Sequence, residues 1–546
     1  MRFWEFIRLK YLYPKSPKMP ESLVKLAPPP DFSLCRPVLL QDGTWSTVKE
    51  HAKIGVRAIL ANPYFFIGDE MGGMKSAQTA IAAQFLFLAN KIDRVLIICP
   101  ASVRPVWFDR DIGEIALHAF DSIPYKLVHE YHVRNSAWGN APKGSRFLHW
   151  VITNYEFIRR SERLAELKTL CNPRTMIVFD ESSALKNHKS ETYRVSKILR
   201  MLCSQVVELN GTPGKPMDMY TQADILSPTI MGCRSFYHYR ARYAIMGGWQ
   251  MKQITQYQNL EDMQRRMAPY ILRREKDAFR DYPKALPPVQ RVVTLSDETW
   301  RIYKEMREEM VAFLSQNTIA VAAQAAVRSL RLSQLTSGFV GGVEEESTEA
   351  ELEASDGIMP PRYTTKEVSR EKLDFVLDLQ EEWLENDPNL KLLVWCRFIP
   401  ELRRFFTDHA ARYPGIVRGS CAGPSMFGRG KKLERADALR LLNPKTAPPG
   451  PVTVGGTYGT GALGLNFTAC HTVINMSCDY SYYKAAQSAA RVDRPGQLYP
   501  VSTFDIVAEG PRGQKTIDHI IAKARRTNEE LASWTCSAWI KALTEE

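Results

Sequence analysis

No uninterrupted apolar run in the chain approaches the roughly 20 residues needed to cross a bilayer. The amino terminus, Met1-Arg2-Phe3-Trp4-Glu5-Phe6-Ile7-Arg8, sets charges inside its apolar stretch. It has neither the h-region nor the small-residue cleavage site of a secretory signal. An intracellular protein with no membrane role is therefore expected. Cysteine pairs at metal-ligand spacing are missing too. The ten cysteines are scattered, and none form a C-x-x-C. Cys470, His471 and Cys478 lie close together but flank an apolar strand candidate, so they read as buried thiols rather than a zinc site. Acidic residues are in deficit, 60 against 72 lysines and arginines, for a net charge of +12. That excess favours a polyanionic partner. No internal repeat, chromatin-reader, nuclease or zinc module is recognisable. The economy suggests a bacterial cytoplasm or a phage-infected host.

At 546 residues the chain is too long for one core, and two or more domains are expected. The organising stretch is Phe65-Phe66-Ile67-Gly68-Asp69-Glu70-Met71-Gly72-Gly73-Met74-Lys75-Ser76. An apolar strand feeds a glycine loop that ends in Lys-Ser, and residues 77–89 read as a helix. Backbone N–H groups and the positive helix end of such a unit surround a polyphosphate. Lysine adds charge at the outer phosphates, and serine offers a hydroxyl to Mg²⁺. Residues 47–61 read as a helix leading into this loop. Apolar runs at residues 94–99, 149–153, 175–179 and 205–209 suit parallel strands buried on both faces. Helix-compatible stretches lie between them, which argues a doubly wound α/β sheet. Val178-Phe179-Asp180-Glu181 puts paired acids at a strand end, where such sheets carry function. Buried acids need something positive, and Mg²⁺ beside an activated water satisfies that need. Beyond residue 370 the alternating plan repeats, with strands at 391–396, 452–454 and 472–476. Gly459-x-Gly461-x-x-Gly464 matches a dinucleotide fingerprint, but too few residues follow it for a crossover helix.

These motifs resemble those of Snf2-family ATPases of helicase superfamily 2, over residues 45–530. Pro100 to Trp107, Asp180 to Asn187 and Asn210-Gly211-Thr212-Pro213 resemble motifs Ia, II and III. Ile271-Leu272-Arg273-Arg274-Glu275-Lys276-Asp277, then Leu286-Pro287-Pro288, is a Snf2-type signature, continued by residues 329–335 and Lys372-Leu373. Arg397-Phe398, Thr460 to Asn466 and Gln487 to Gln497 resemble motifs IV, V and VI. The resemblance implies two RecA-like lobes with ATP and Mg²⁺ in the cleft between them. Asp69 to Ser76, with Gly464 and Gln487, would hold nucleotide, and Ser76 and Asp180 would hold the metal. Lys75, Asp180, Glu181, Arg491 and Arg494 would be catalytic, the two arginines reaching the γ-phosphate from the second lobe when the cleft closes. Three apart, these arginines are expected on one helix face. Ser102, Arg104, Tyr155, Arg397, Thr460 and Asn466 would contact nucleic acid.

The expected division is an arm at 1–45, a first lobe at 46–290, connecting helices with an acidic disordered insertion at 291–370, and a second lobe at 371–546. The implied activity is a DNA-dependent ATP hydrolase moving on duplex or branched DNA, as a monomer, in repair, recombination or replication. The annealing-helicase branch is the nearest in character. Two other readings stay open: a strand-separating helicase, and a catalytically weak DNA-binding scaffold. Three departures motivate the scaffold. Met74 stands where the family has glycine, Ala52 where it has an adenine-reading glutamine, and Ser183 where motif II has histidine. At Met74 a side chain is expected to crowd the phosphate or to demand an unfavourable φ.

Overall fold

The computed structural model describes the chain except residues 1–29, 40–44, 130–136, 140–141, 212–213, 249–252, 317–321, 345–362, 423–434, 459–465, 528–535 and 545–546. The acidic insertion and most of the amino-terminal arm thus lie outside the described residues. The chain folds as two compact units, Met1–Asp281 and Tyr282–Glu546. Among the described residues, no helix is long and apolar enough to cross a membrane.

In the first unit, helix α1 (Glu50–Ala61) precedes strand β1 (Tyr64–Ile67), and helix α2 (Lys75–Leu88) follows the loop. The later strands are β2 (Arg94–Cys99), β3 (Tyr125–His129), β4 (Ala137–Gly139), β5 (Leu148–Asn154), β6 (Thr175–Asp180), β7 (Gln205–Leu209) and β8 (Ile271–Leu272). Their order is β8-β1-β7-β6-β2-β5-β3-β4. Every pairing is parallel except β3 with β4. β6 is buried along its whole length and β2 along all but its first residue, as unbroken apolar runs require. Because β1 and β2 are separated by β7 and β6, the loops after these four strands share one edge. Ligands bind at such a switch point.

The second unit takes its edge strand, β9 (Val289–Thr294), from a segment that the sequence assigned partly to the first lobe and partly to the connector. Helix α3 (Asp297–Gln316) follows it. The remaining strands are β10 (Lys391–Cys396), β11 (Val417–Ser420), β12 (Val452–Thr457), β13 (Thr472–Asn475) and β14 (Ser502–Glu509). They form an all-parallel sheet in the order β9-β14-β13-β10-β12-β11. Helices α4 (Tyr482–Ala489), α5 (Ile517–Arg526) and α6 (Cys536–Thr544) complete the parts used below. Both units are thus mostly parallel sheets with flanking helices, the two RecA-like lobes that were expected.

One core of the second unit joins Trp300, Tyr303 and Met310 of α3 to Ile517 and Ile521 of α5 and Trp539 of α6. At the start of α5, Asp518 is 7% exposed and pairs with the buried Lys372 ammonium. It also accepts from Ala508 N–H at 3.0 Å and Thr336 Oγ1 at 2.9 Å. Lys372→Met leaves this carboxylate buried without its counter-charge. Its expected cost is about 3–5 kcal/mol, read in chemical unfolding of the second unit. Wild-type stability in that variant would show the pair to be dispensable.

Candidate active site

The phosphate loop is held by a buried ion pair. Asp69 is fully buried, and its carboxylate accepts from Arg274 Nε at 3.0 Å and Gln78 Nε2 at 3.2 Å. Arg274 donates as well to the His51 carbonyl at 2.6 Å, while its own carbonyl accepts Glu70 N–H at 3.0 Å. Asp69, expected among the nucleotide contacts, therefore has its carboxylate committed to the frame of the loop. Only main chain of Asp69 and Glu70 faces the lysine. Lys75 Nζ donates to their carbonyls at 2.9 and 3.3 Å.

The turn itself is tight. Gly72 has φ +89°, and a Cβ on Gly73 would fall 2.7 Å from Asp69 Cβ. Met74 then opens α2 with φ 56° and ψ 33°, in the left-handed region. The unfavourable φ expected at Met74 is what the structure shows. No side chain caps α2, so its first N–H groups face the loop with their partial positive charge. Lys75 and Ser76 form the first helical turn, which starts the helix two residues earlier than periodicity suggested.

The acid pair lies at the end of β6. Asp180 Oδ2 accepts Trp107 Nε1–H at 2.8 Å, and Oδ1 accepts Glu181 N–H at 2.9 Å. Burial first, and then the Glu181 carboxylate, push the Asp180 carboxyl up to about 7, while Lys75 pulls the other way. Glu181 has φ 50°, a backbone strain of the kind that collects at functional sites. After β7, a Cβ on Gly211 would lie 2.9 Å from Met71 Cγ and 3.1 Å from Lys75 Nζ. The ends of β1, β6 and β7 thus bring Lys75, Asp180, Glu181 and Gly211 together. A carboxyl raised by burial and by the neighbouring Glu181 carboxylate, beside an uncapped helix start and a lysine, fits a polyphosphate carrying a divalent cation.

Other expected residues fall differently. Arg104 and Tyr155 were expected on a nucleic-acid surface, yet they are only 3% and 4% exposed. Tyr155 Oη donates to the Asp180 carbonyl at 2.9 Å, so it braces the acid strand. Ser102 is half-buried. In the second unit the Arg397 guanidinium lies 3.5 Å from the Tyr480 ring centre, and its Nη1 donates to Ser333 Oγ at 3.3 Å. Asn466 is half-buried, and its Oδ1 has no hydrogen-bond partner among the described residues. Thr460, Gly464 and residues 212–213 lie outside the described residues. Ala52 is fully buried.

The expectation of Arg491 and Arg494 on one helix face is corrected. α4 ends at Ala489, and both arginines sit in the tight turns that follow. Pro495 disfavours helix at Arg494, and Gly496 adopts φ +96°. Gln497 fixes this turn by donating to the Cys470 carbonyl at 2.8 Å. Arg491 is 5% exposed, and Arg494 and Gln487 are half-buried. Sequence reasoning missed the roles of Gln78 and of Trp107 as a donor to Asp180. A tryptophan within the motif Ia stretch was the available signal.

With this geometry in hand, comparison with known proteins is direct. A family model described as the SNF2-related domain matches residues 61–338, just over half of the chain. The chain belongs to the SNF2-related domain family. Among curated proteins, it is 30% identical over 189 residues to the fly (Drosophila melanogaster) SWI/SNF-related matrix-associated actin-dependent regulator of chromatin subfamily A-like protein 1. That match covers 34% of this chain and 22% of the fly protein. It is 23% identical over 462 residues to mouse (Mus musculus) DNA repair and recombination protein RAD54B, covering 79% of this chain and 49% of the mouse protein. The chain thus spans about a fifth to a half of the length of these relatives. Among solved structures, the Sulfolobus solfataricus SWI2/SNF2 ATPase core in complex with dsDNA covers 94% of this chain and 97% of its own, at 19% identity and a TM-score of 0.37.

The left-handed backbone at Met74 makes a signed prediction for this SNF2-related domain. Met74→Val puts a β-branched side chain there and should destabilise the first unit by about 1–3 kcal/mol. Met74→Gly should stay within about 1 kcal/mol of wild type, with nucleotide affinity at or above it. Thermal midpoints and nucleotide titration check both. An unchanged midpoint for Met74→Val would sink the strain assignment.

Proposed function

We propose that this chain is a DNA-dependent ATP hydrolase that moves on duplex or branched DNA. The observation that carries the reading is the convergence of Lys75, the uncapped start of α2 and the Asp180–Glu181 pair at one sheet edge of an SNF2-related domain. Lys75 and the first N–H groups of α2 would bind and orient the outer phosphates. Mg²⁺, when bound, neutralises phosphate charge, and Ser76 and Asp180 are the residues that would hold it. Trp107 fixes the rotamer of Asp180 for that task. Glu181 would orient and activate the attacking water. Arg491 and Arg494 would stabilise charge developing on the transferring phosphoryl group.

DNA as the activating partner is supported by the +12 charge and by what the relatives' names say of them, chromatin regulation and DNA repair. We propose a monomer that acts inside the cell in repair, recombination or replication. The relatives named above come from fly and mouse and lend no support to a bacterial or phage host. We propose domain limits near 45 and 370, with the boundary expected at 290 moved to 281, where the two units divide.

Hydrolysis should be measured with single-stranded, duplex, forked and RNA effectors, and strand separation on the fork. Lys75→Ala should lower DNA-stimulated turnover by about 10²-fold or more with the fold intact. Glu181→Gln should keep ATP binding and lose turnover. Wild-type turnover in Lys75→Ala would refute the site. Loss of ATP binding in Glu181→Gln would reassign that residue to structure.

A further inference from the structure

Beside the phosphate loop, one buried amide side chain plays no part in the chemistry described above. Gln78, in the first turns of α2, is fully buried. Its Nε2 donates to the Gly73 carbonyl at 2.6 Å and to Asp69 Oδ2 at 3.2 Å. Its backbone N–H donates to the Met74 carbonyl at 2.9 Å. One residue thus holds two successive carbonyls at the end of the loop. Both side-chain partners are acceptors, so the amide nitrogen must face them and the oxygen must face away. That oxygen is buried and has no hydrogen-bond partner among the described residues. It lies against Gly55 of α1, where an added Cβ would fall 1.6 Å from it.

These contacts bear on the conformation of the loop. A trans peptide sets its N–H opposite to its carbonyl. Holding the Gly73 carbonyl on Gln78 therefore turns the Met74 N–H the other way. The left-handed backbone at Met74 persists only where its surroundings over-determine it, and this hydrogen bond acts on the peptide directly before it. At Gly55 the ordinary ranking of residues is reversed. Alanine inside a helix is normally the more stable choice. Here its methyl would meet the Gln78 amide, the flexible partner, which can yield only by leaving the Gly73 carbonyl.

We propose that Gln78 is a positioning residue of the nucleotide site. It holds the peptide between Gly73 and Met74 in the geometry that binds phosphate, and the bare Cα of Gly55 makes room for it. The inference rests on the phosphate-loop reading above, and the test separates the two. The chain is titrated calorimetrically with MgATP and with inorganic tripolyphosphate. The variants are Gln78→Met, Gln78→Ala, Gly55→Ala and Gly55→Ala/Gln78→Ala, and thermal midpoints report their folding. Gln78→Met keeps length and apolar packing but donates nothing. It should weaken both ligands about tenfold, because apparent affinity falls with the fraction of loops in the competent state. Gly55→Ala should weaken both by a similar factor on its own and change neither beside Gln78→Ala. A role confined to folding would lower the midpoints and leave the affinity of the folded protein alone. Unchanged affinities in folded Gln78→Met, or equal losses from Gly55→Ala in both backgrounds, overturn the proposal. If MgATP binding alone is lost and tripolyphosphate binding is kept, the pair reads the base and the loop assignment falls. A wild type that binds neither ligand removes the phosphate-loop reading as well, whereas unaffected variants of a binding wild type remove only the role of Gln78.

Discussion

The site depends first on the Asp69–Arg274 ion pair, formed across 205 positions of sequence. A fully buried carboxylate carries a desolvation penalty of several kcal/mol unless paired and hydrogen-bonded. Arg274 supplies the charge and Gln78 a further donor. The arginine simultaneously holds the His51 carbonyl in α1 and, through its own carbonyl, the Glu70 amide. One guanidinium therefore ties α1, the phosphate loop and the end of the first unit together. This explains why a signature near residue 274 belongs with a loop near residue 72.

A second dependence runs through Asp180. Its carboxylate is oriented by Trp107 and by the Glu181 amide, and its carbonyl by Tyr155. These partners fix direction without supplying positive charge, which is why burial still raises the carboxyl. An arginine in place of Trp107 would satisfy the acid more fully and leave less for a metal to do. The left-handed backbone at Glu181 turns the next carboxylate away from the strand, so neighbouring acids take different directions. At the other end of the same edge, Gly211 admits Met71 and Lys75 because it has no Cβ.

Where the sequence was legible, one physical pattern was responsible. Doubly buried strands such as β2, β6 and β7 have continuous apolar runs, and their limits fall within a residue of those read from periodicity. The phosphate loop was legible because its chemistry needs adjacent residues. Long-range requirements were not. Arg104 and Tyr155 carry polar groups that suit an open surface, yet tertiary packing buries both, Tyr155 against the Asp180 carbonyl. Arg491 and Arg494 have helical spacing, but the helix ends at Ala489, before it reaches them. Val289–Thr294 alternates too weakly to reveal that it joins a sheet whose other strands begin a hundred residues later.

Net charge is a weaker guide than its arrangement. Many of the cations are engaged internally. Arg174 and Arg146 meet Asp93, Arg412 meets Asp378 and Glu381, and Arg242, Arg265 and Arg266 surround Asp262. Each carboxylate offsets charge within a few ångströms, so such clusters contribute less field at a distance than their arginines alone would. What acts at a distance is the field of cations left outside such clusters, strongest where a low-dielectric surround concentrates it. The phosphate loop follows the same logic on a smaller scale, where the positive end of α2 adds to Lys75 at a place from which the Asp69 carboxylate has been withdrawn.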